Sequence, residues 1–193
     1  MDPISILTIF LTLFAVIDMV GNVPLIIKLR KDYGEVESFK STMISTFIMV
    51  LFLFTGTSLF KLIGIETQHF ALAGSLLILY FGIRMVLGIE DTKSKKQSMK
   101  ATVFPVAFPL ISGPGTLSTI ISLRSDFTMP EVIIGILLNS IVIYLVLKSA
   151  DWIKDKMGIV GITLMERIFG IILIAIGMKM LINNLVISIQ SIL

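Results

Sequence analysis

Two apolar stretches of this chain, each long enough to cross a bilayer, are interrupted near their middles by polar residues rich in glycine and proline. The first interruption reads Asp18-Met19-Val20-Gly21-Asn22-Val23-Pro24, and the second reads Pro109-Leu110-Ile111-Ser112-Gly113-Pro114-Gly115-Thr116. They open corresponding halves of the sequence. Inside hydrocarbon, unwound backbone exposes N–H and C=O groups at a cost of several kcal/mol each, unless they line a cavity or bind something. A matched pair of such breaks is the sequence pointer to a transporter-like site near the membrane midplane.

The chain has 193 residues, is 55% hydrophobic and has a mean hydropathy of +0.99, which excludes an ordinary soluble globule. A spanning helix needs roughly twenty apolar residues. Six stretches qualify: Ile4–Leu29, Ser41–Phe60, Phe70–Ile89, Ala101–Leu123, Pro130–Leu147 and Gly161–Asn183. The fold expected is therefore an all-α integral membrane protein with discontinuous first and fourth helices. Met1-Asp2-Pro3 carries no basic residue and no cleavage site follows, so the first stretch reads as a mature span. The absence of cysteine removes disulfides and thiolate metal sites.

The pI of 9.2 reflects topology more than nucleic-acid binding. Lys28, Arg30, Lys31 and Lys40 flank the first loop, Lys93, Lys95, Lys96 and Lys100 lie in the third, and Lys148, Lys154, Lys156 and Arg167 border the fifth. The second and fourth loops carry Lys61 and Arg124. With six spans the three basic loops share one face, which the positive-inside rule makes cytoplasmic, and both termini lie outside.

Three spans per half require any second copy to enter the membrane from the opposite side. Phe81-Gly82-Ile83-Arg84-Met85-Val86-Leu87 matches Ile176-Gly177-Met178-Lys179-Met180-Leu181-Ile182 in pattern, late in the last span of each half. Two inverted three-helix repeats are expected, residues 1–89 and 101–193, joined by the charged linker 90–100 within a single transmembrane domain. Arg84 and Lys179 are read as charges snorkelling to opposite interfaces.

Each break has a chemistry. Pro24 and Pro114 suit the first turn of a second half-helix, with Asn22 and either Ser112 or Gly113 as caps and Pro109 ending the preceding segment. Gly21, Gly113 and Gly115 let a ligand approach the main chain. Half-helix N-termini supply N–H donors, and the opposing half-helix ends supply carbonyls. Such a site suits a zwitterion, with Thr116 beside it. Asp18 is the one carboxylate deep in a span, at a cost of roughly 2.5–3.5 kcal/mol on insertion scales. It has four readings: it meets a substrate ammonium, carries a coupling proton, coordinates a cation, or caps the unwound amides. Asn139, in the fifth span, either bonds substrate or satisfies freed backbone. His69 reads as an interfacial histidine, and Thr42, Ser45 and Thr46 as helix-packing hydroxyls.

The first break resembles the Asp-Pro-x-Gly-Asn-x-Pro motif of the MarC family, also called the small neutral amino acid transporter family, with Met19 where the motif has proline. Phe104-Pro105-Val106-Ala107-Phe108-Pro109-Leu110-Ile111-Ser112-Gly113-Pro114-Gly115-Thr116 is similar to its second signature, Phe-Pro-x-x-x-Pro-Leu-x-x-Gly-Pro-Gly. The resemblance covers essentially the whole chain. It implies a multi-pass inner-membrane protein related to the LysE-type exporters, and glycine or alanine as first substrates.

The leading expectation is a secondary transporter binding Asp18, Gly21, Asn22, Ser112, Gly113, Gly115, Thr116 and Asn139 to its substrate, driven by H⁺ or Na⁺, with no cofactor or metal; a homo-oligomer is compatible with it. No Walker A pattern is present. The alternatives are an exporter of another small metabolite or drug, a non-transporting adaptor, and an intramembrane enzyme. The last lacks His-Glu-x-x-His and Gly-x-Ser-x-Gly motifs.

Overall fold

A computed structural model describes residues 2–19, 21–33, 36–89 and 102–190. The charged linker at 90–100 lies outside them. All regular elements among the described residues are helical: α1 (Pro3–Ile17), α2 (Val23–Tyr33), α3 (Ser38–Ile63), α4 (Thr67–Leu87), an irregular α5 (Thr102–Ile111), α6 (Pro114–Asp126) and α7 (Met129–Gln190). Four segments are long and apolar enough to cross a membrane: Ser38–Ile63, Gln68–Leu87, Met129–Ala150 and Thr163–Gln190. The α5–α6 pair, bent by 49°, adds a fifth when it is counted as one broken span.

Sequence sets the boundaries. Asp2 caps α1 by accepting the Ile4 N–H, with Pro3 starting the helix. Gly64 and Gly88 end α3 and α4 at φ 71° and 65°, the left-handed conformation that glycine takes without penalty. In α5, Phe104 and Phe108 are extended (φ −125°, ψ 123° and φ −138°, ψ 131°) because each precedes a proline. The segment is thus broken at Phe104 and Phe108 and is no regular helix.

Two expectations change here. The fifth and sixth stretches belong to one 62-residue helical element, since Gly158 and Gly161 are tolerated inside α7 and do not end it. Arg84 is 8% exposed and folded inward, with its guanidinium over the Tyr80 ring and Nη2 donating to Ile89 O, so it does not snorkel outward.

Glycines allow the tightest helix contact. A Cβ on Gly82 would lie 2.9 Å from Gly170 O and from Ile174 Cγ1, and one on Gly177 would lie 2.8 Å from Leu79 Cγ. Close backbone approach through small residues is how helices pack where water supplies no driving force. Outward faces stay apolar, with Phe47, Leu145 and Leu164 well exposed, as lipid contact requires.

Polar bonds tie the elements at both ends. Arg30 Nη2 donates to Leu147 O at 2.9 Å, Val36 O and Ser38 Oγ. Arg124 Nη1 donates to Leu53 O at 2.9 Å and Phe54 O. Between them Thr46 and Ser140 share a 2.6 Å hydroxyl bond joining α3 to α7.

Candidate functional site

The two breaks face each other across a cavity. Asp18 ends α1 in the left-handed conformation (φ 46°, ψ 48°), which Asp and Asn tolerate better than most residues. Its Oδ1 accepts the Gly21 N–H at 3.2 Å. A Cβ on Gly21 would run into that carboxylate, so any other residue there would have to push the Asp18 side chain off its hydrogen bond. Asn22 Nδ2 donates to Ile17 O at 3.0 Å, closing the last carbonyl of α1. Asn22 therefore caps the C-terminal end of α1 with its side chain and begins α2 with its main chain, whose carbonyl accepts the Ile26 N–H at 3.0 Å. Its Oδ1 is buried with no hydrogen-bond partner. Pro24 stands second in α2, one place later than a helix-starting proline.

The second break repeats this plan with different side chains. Thr116 Oγ1 donates to Ile111 O at 2.9 Å, reaching back five residues as Asn22 does to Ile17. Gly113 is the N-cap of α6 and offers no side-chain acceptor, and Pro114 follows. The first helical bond is Leu117 N–H to Gly113 O at 2.9 Å. The N–H groups of Gly113, Gly115 and Thr116 have no acceptor among the described residues. Ser112 turns its hydroxyl back to Ala107 O at 2.6 Å.

The cavity measures ≈ 90 Å³ as room for the centres of water-sized molecules. One water needs roughly 10–15 Å³ on that measure, so a ligand of about six to nine non-hydrogen atoms fits. Asp18, Asn22, Gly113, Gly115 and Thr116 supply its polar lining, with Pro109 and Pro114 beside them. Phe81 of α4 and Leu173 and Met180 of α7 close it with apolar surface. Gly21 and Ser112, expected to bind substrate, do not line the cavity: the Gly21 N–H is held by Asp18 and the Ser112 hydroxyl by Ala107 O. Asn139 is elsewhere: Nδ2 donates to Phe10 O at 3.2 Å and Gly135 O at 2.9 Å, joining α1 to α7.

His69 is held at the opposite end of α4, with Nδ1 accepting the Glu66 N–H and Nε2 sharing a 3.2 Å bond with Ser188 Oγ. Among the described residues no three His, Asp or Glu side chains cluster in a way that suits a metal ion. The apolar walls Phe81, Leu173 and Met180 escaped the sequence reading because they look like any span residue. Phe81 and Met180 do lie in the duplicated Gly-basic-Met segments, and that duplication was the available signal.

The model of the MarC family of integral membrane proteins matches residues 4–189. This chain belongs to the MarC family. MarC relatives share its full length: a UPF0056 membrane protein of Pyrococcus abyssi is 31% identical over 186 residues, covering 91% of this chain and 92% of that one. One from Methanocaldococcus jannaschii is 29% identical over 191 residues (91% and 93%), and YvbG of Bacillus subtilis is 29% identical over 192 (90% and 91%). No solved structure matches. As a MarC protein with several apolar helices, the chain is an integral multi-pass membrane protein.

Proposed function

We propose that this MarC protein is a secondary transporter of small neutral amino acids, glycine and alanine first, bound as zwitterions between the two breaks. The cavity carries this reading. Unsatisfied N–H groups at the start of α6 suit an α-carboxylate, while the buried Asn22 Oδ1 suits an α-ammonium, with the Asp18 carboxylate beside it to carry a coupling proton. Glycine, alanine and serine, with five to seven non-hydrogen atoms, lie within the roughly six to nine that the cavity holds, and leucine, with nine, is at its upper limit. Uptake of labelled glycine, alanine, serine and leucine into proteoliposomes under imposed H⁺ or Na⁺ gradients tests it. Glycine and alanine are expected to accumulate and leucine to be excluded; gradient-independent leakage of all four would refute it.

The transport reading needs two exchangeable halves, and several pairings support an inverted repeat of six alternating spans. Thr46 and Ser140, 94 residues apart, touch each other. At the same spacing, Arg30 corresponds to Arg124 and Leu53 to Leu147, and the two arginines reach across to the other half's leucine carbonyl, each at 2.9 Å. The Asn22 to Ile17 and Thr116 to Ile111 bonds, again 94 residues apart, span the same five residues, as two copies of one unit would.

Direction supports it too. α1 runs with the opening of α7, Asp2 meeting Glu131 and Phe10 meeting Asn139. α4 runs against the end of α7, Gly82 meeting Gly170 and His69 meeting Ser188. α2 runs with α4, Leu25 and Lys28 lying beside Phe81 and Arg84. The opening of α7 thus runs with α1, and its end runs against α4. Asp2, bonded to Glu131, and Ser188, bonded to His69, lie away from Lys28, Arg30 and Leu147, whose end of the bundle we assign to the cytoplasm. A reporter active only outside the cytoplasm, fused after Leu193, is expected to be active; activity of a cytoplasm-only reporter there would reverse the orientation.

A further inference from the structure

Between the midplane cavity and the basic end of the bundle, α2 and α4 continue side by side. Asn22, Leu25 and Lys28 recur at helical spacing along one face of α2, as Ile78, Phe81 and Arg84 do along α4. Asn22 and Ile78 line the cavity, Leu25 and Phe81 line both it and a second space, and Lys28 and Arg84 line the second space alone. That second space is small, ≈ 10 Å³, about one water. Among the described residues no carboxylate lines it.

Lys28 is 4% exposed, and its ammonium makes one hydrogen bond among the described residues, to Arg84 O at 3.1 Å. An ammonium carries three donors, and burying it is costly unless an anion or acceptors meet them. A lysine closing a carbonyl in the last turn of α4 is an ordinary helix-end contact. It accounts for one N–H, and not for a buried cation beside a space that shares two walls with the ligand cavity.

We infer that the α2–α4 seam is the ligand's route between the cavity and the basic face, with Leu25 and Phe81 as its apolar barrier and Lys28 as a station that receives a carboxylate. The cargo rests on the transport reading above; the route does not. Opening requires only that Leu25 and Phe81 part, which merges the two spaces and brings the Lys28 ammonium within reach of an anion leaving the α6 amides.

The cysteine-free chain gives a clean background for the test. Leu173→Cys puts one thiol in the cavity wall, and impermeant methanethiosulfonates, one anionic (sulfonatoethyl) and one cationic (trimethylammonioethyl), are applied from either face of oriented vesicles. Adding Phe81→Ala is expected to raise labelling from the basic face about tenfold, and Leu25→Ala, from the opposite wall, to do the same if the first variant folds poorly. The anionic reagent is expected to be favoured, and Lys28→Met to abolish that preference while Lys28→Arg keeps it. Labelling that rises only from the other face, or from neither in both variants, overturns the route. An unchanged charge preference in Lys28→Met overturns the station. If labelling follows the expected pattern while no amino acid is transported, the route stands and the amino-acid reading falls.

Discussion

Asp18→Asn is expected to abolish gradient-driven accumulation while leaving exchange of substrate across the membrane largely intact. The asparagine keeps the side-chain shape, tolerates the left-handed backbone at φ 46° and retains an oxygen for the Gly21 N–H at 3.2 Å. What it loses is the ability to cycle between charged and neutral forms. If Asp18 instead holds the substrate ammonium, exchange falls as well, because a charge-assisted hydrogen bond is roughly twice as strong as a neutral one. If the carboxylate serves only to cap the Gly21 amide, the loss appears as a lower melting temperature in detergent with uptake per folded protein unchanged. Accumulation, exchange and melting measured on this one variant separate the three roles. Wild-type values in all of them would remove Asp18 from the mechanism.

The second large effect is a contrast between two glycines two residues apart. Gly113→Ala is expected to lose both fold and uptake, since its Cβ would collide with the carbonyl oxygen of Pro109, which is backbone and has nowhere to retreat. Overpacking of this kind costs roughly 1–3 kcal/mol and moves the α5–α6 break that orients the amides. Gly115→Ala meets only the flexible end of Met180 at 3.1 Å and Val16 at 3.8 Å, so the protein is expected to melt near the wild-type temperature. The added methyl still points at the ligand space. Alanine uptake is expected to fall by about tenfold, and glycine uptake by less. Equal uptake by the Gly115→Ala and wild-type proteins would mean that substrate does not approach that stretch of backbone.

The breaks were legible because Gly, Pro and Asn inside an apolar run have few structural excuses, and both lie where the sequence put them. Their partnership was legible only in part. Asn139 reads as a mid-span polar group near a ligand, yet its amide is used up by Phe10 O and Gly135 O, a packing role that spacing alone does not reveal. Lys28, Arg30 and Arg84 were read by their distance from a loop, as solvated or snorkelling charges. All three are buried, Lys28 and Arg30 against the carbonyls of Arg84 and Leu147 in other elements and Arg84 against Ile89 O just past its own helix, and the first two contacts depend on tertiary placement. The pairing of Arg30 with Arg124 was hidden for the same reason: one sits among many basic residues and the other nearly alone.

The Thr46–Ser140 bond has a consequence for ancestry. If the halves descend from one shorter chain that assembled as an antiparallel, two-fold symmetric pair of identical copies, this position faced its own duplicate across the symmetry axis. Two lysines there repel, two aspartates repel, and two apolar residues fix no register. A hydroxyl is both donor and acceptor, so it can bond its own kind. On that descent, the contact at 2.6 Å is what a self-complementary residue would leave behind once fusion had freed its two copies to diverge into threonine and serine.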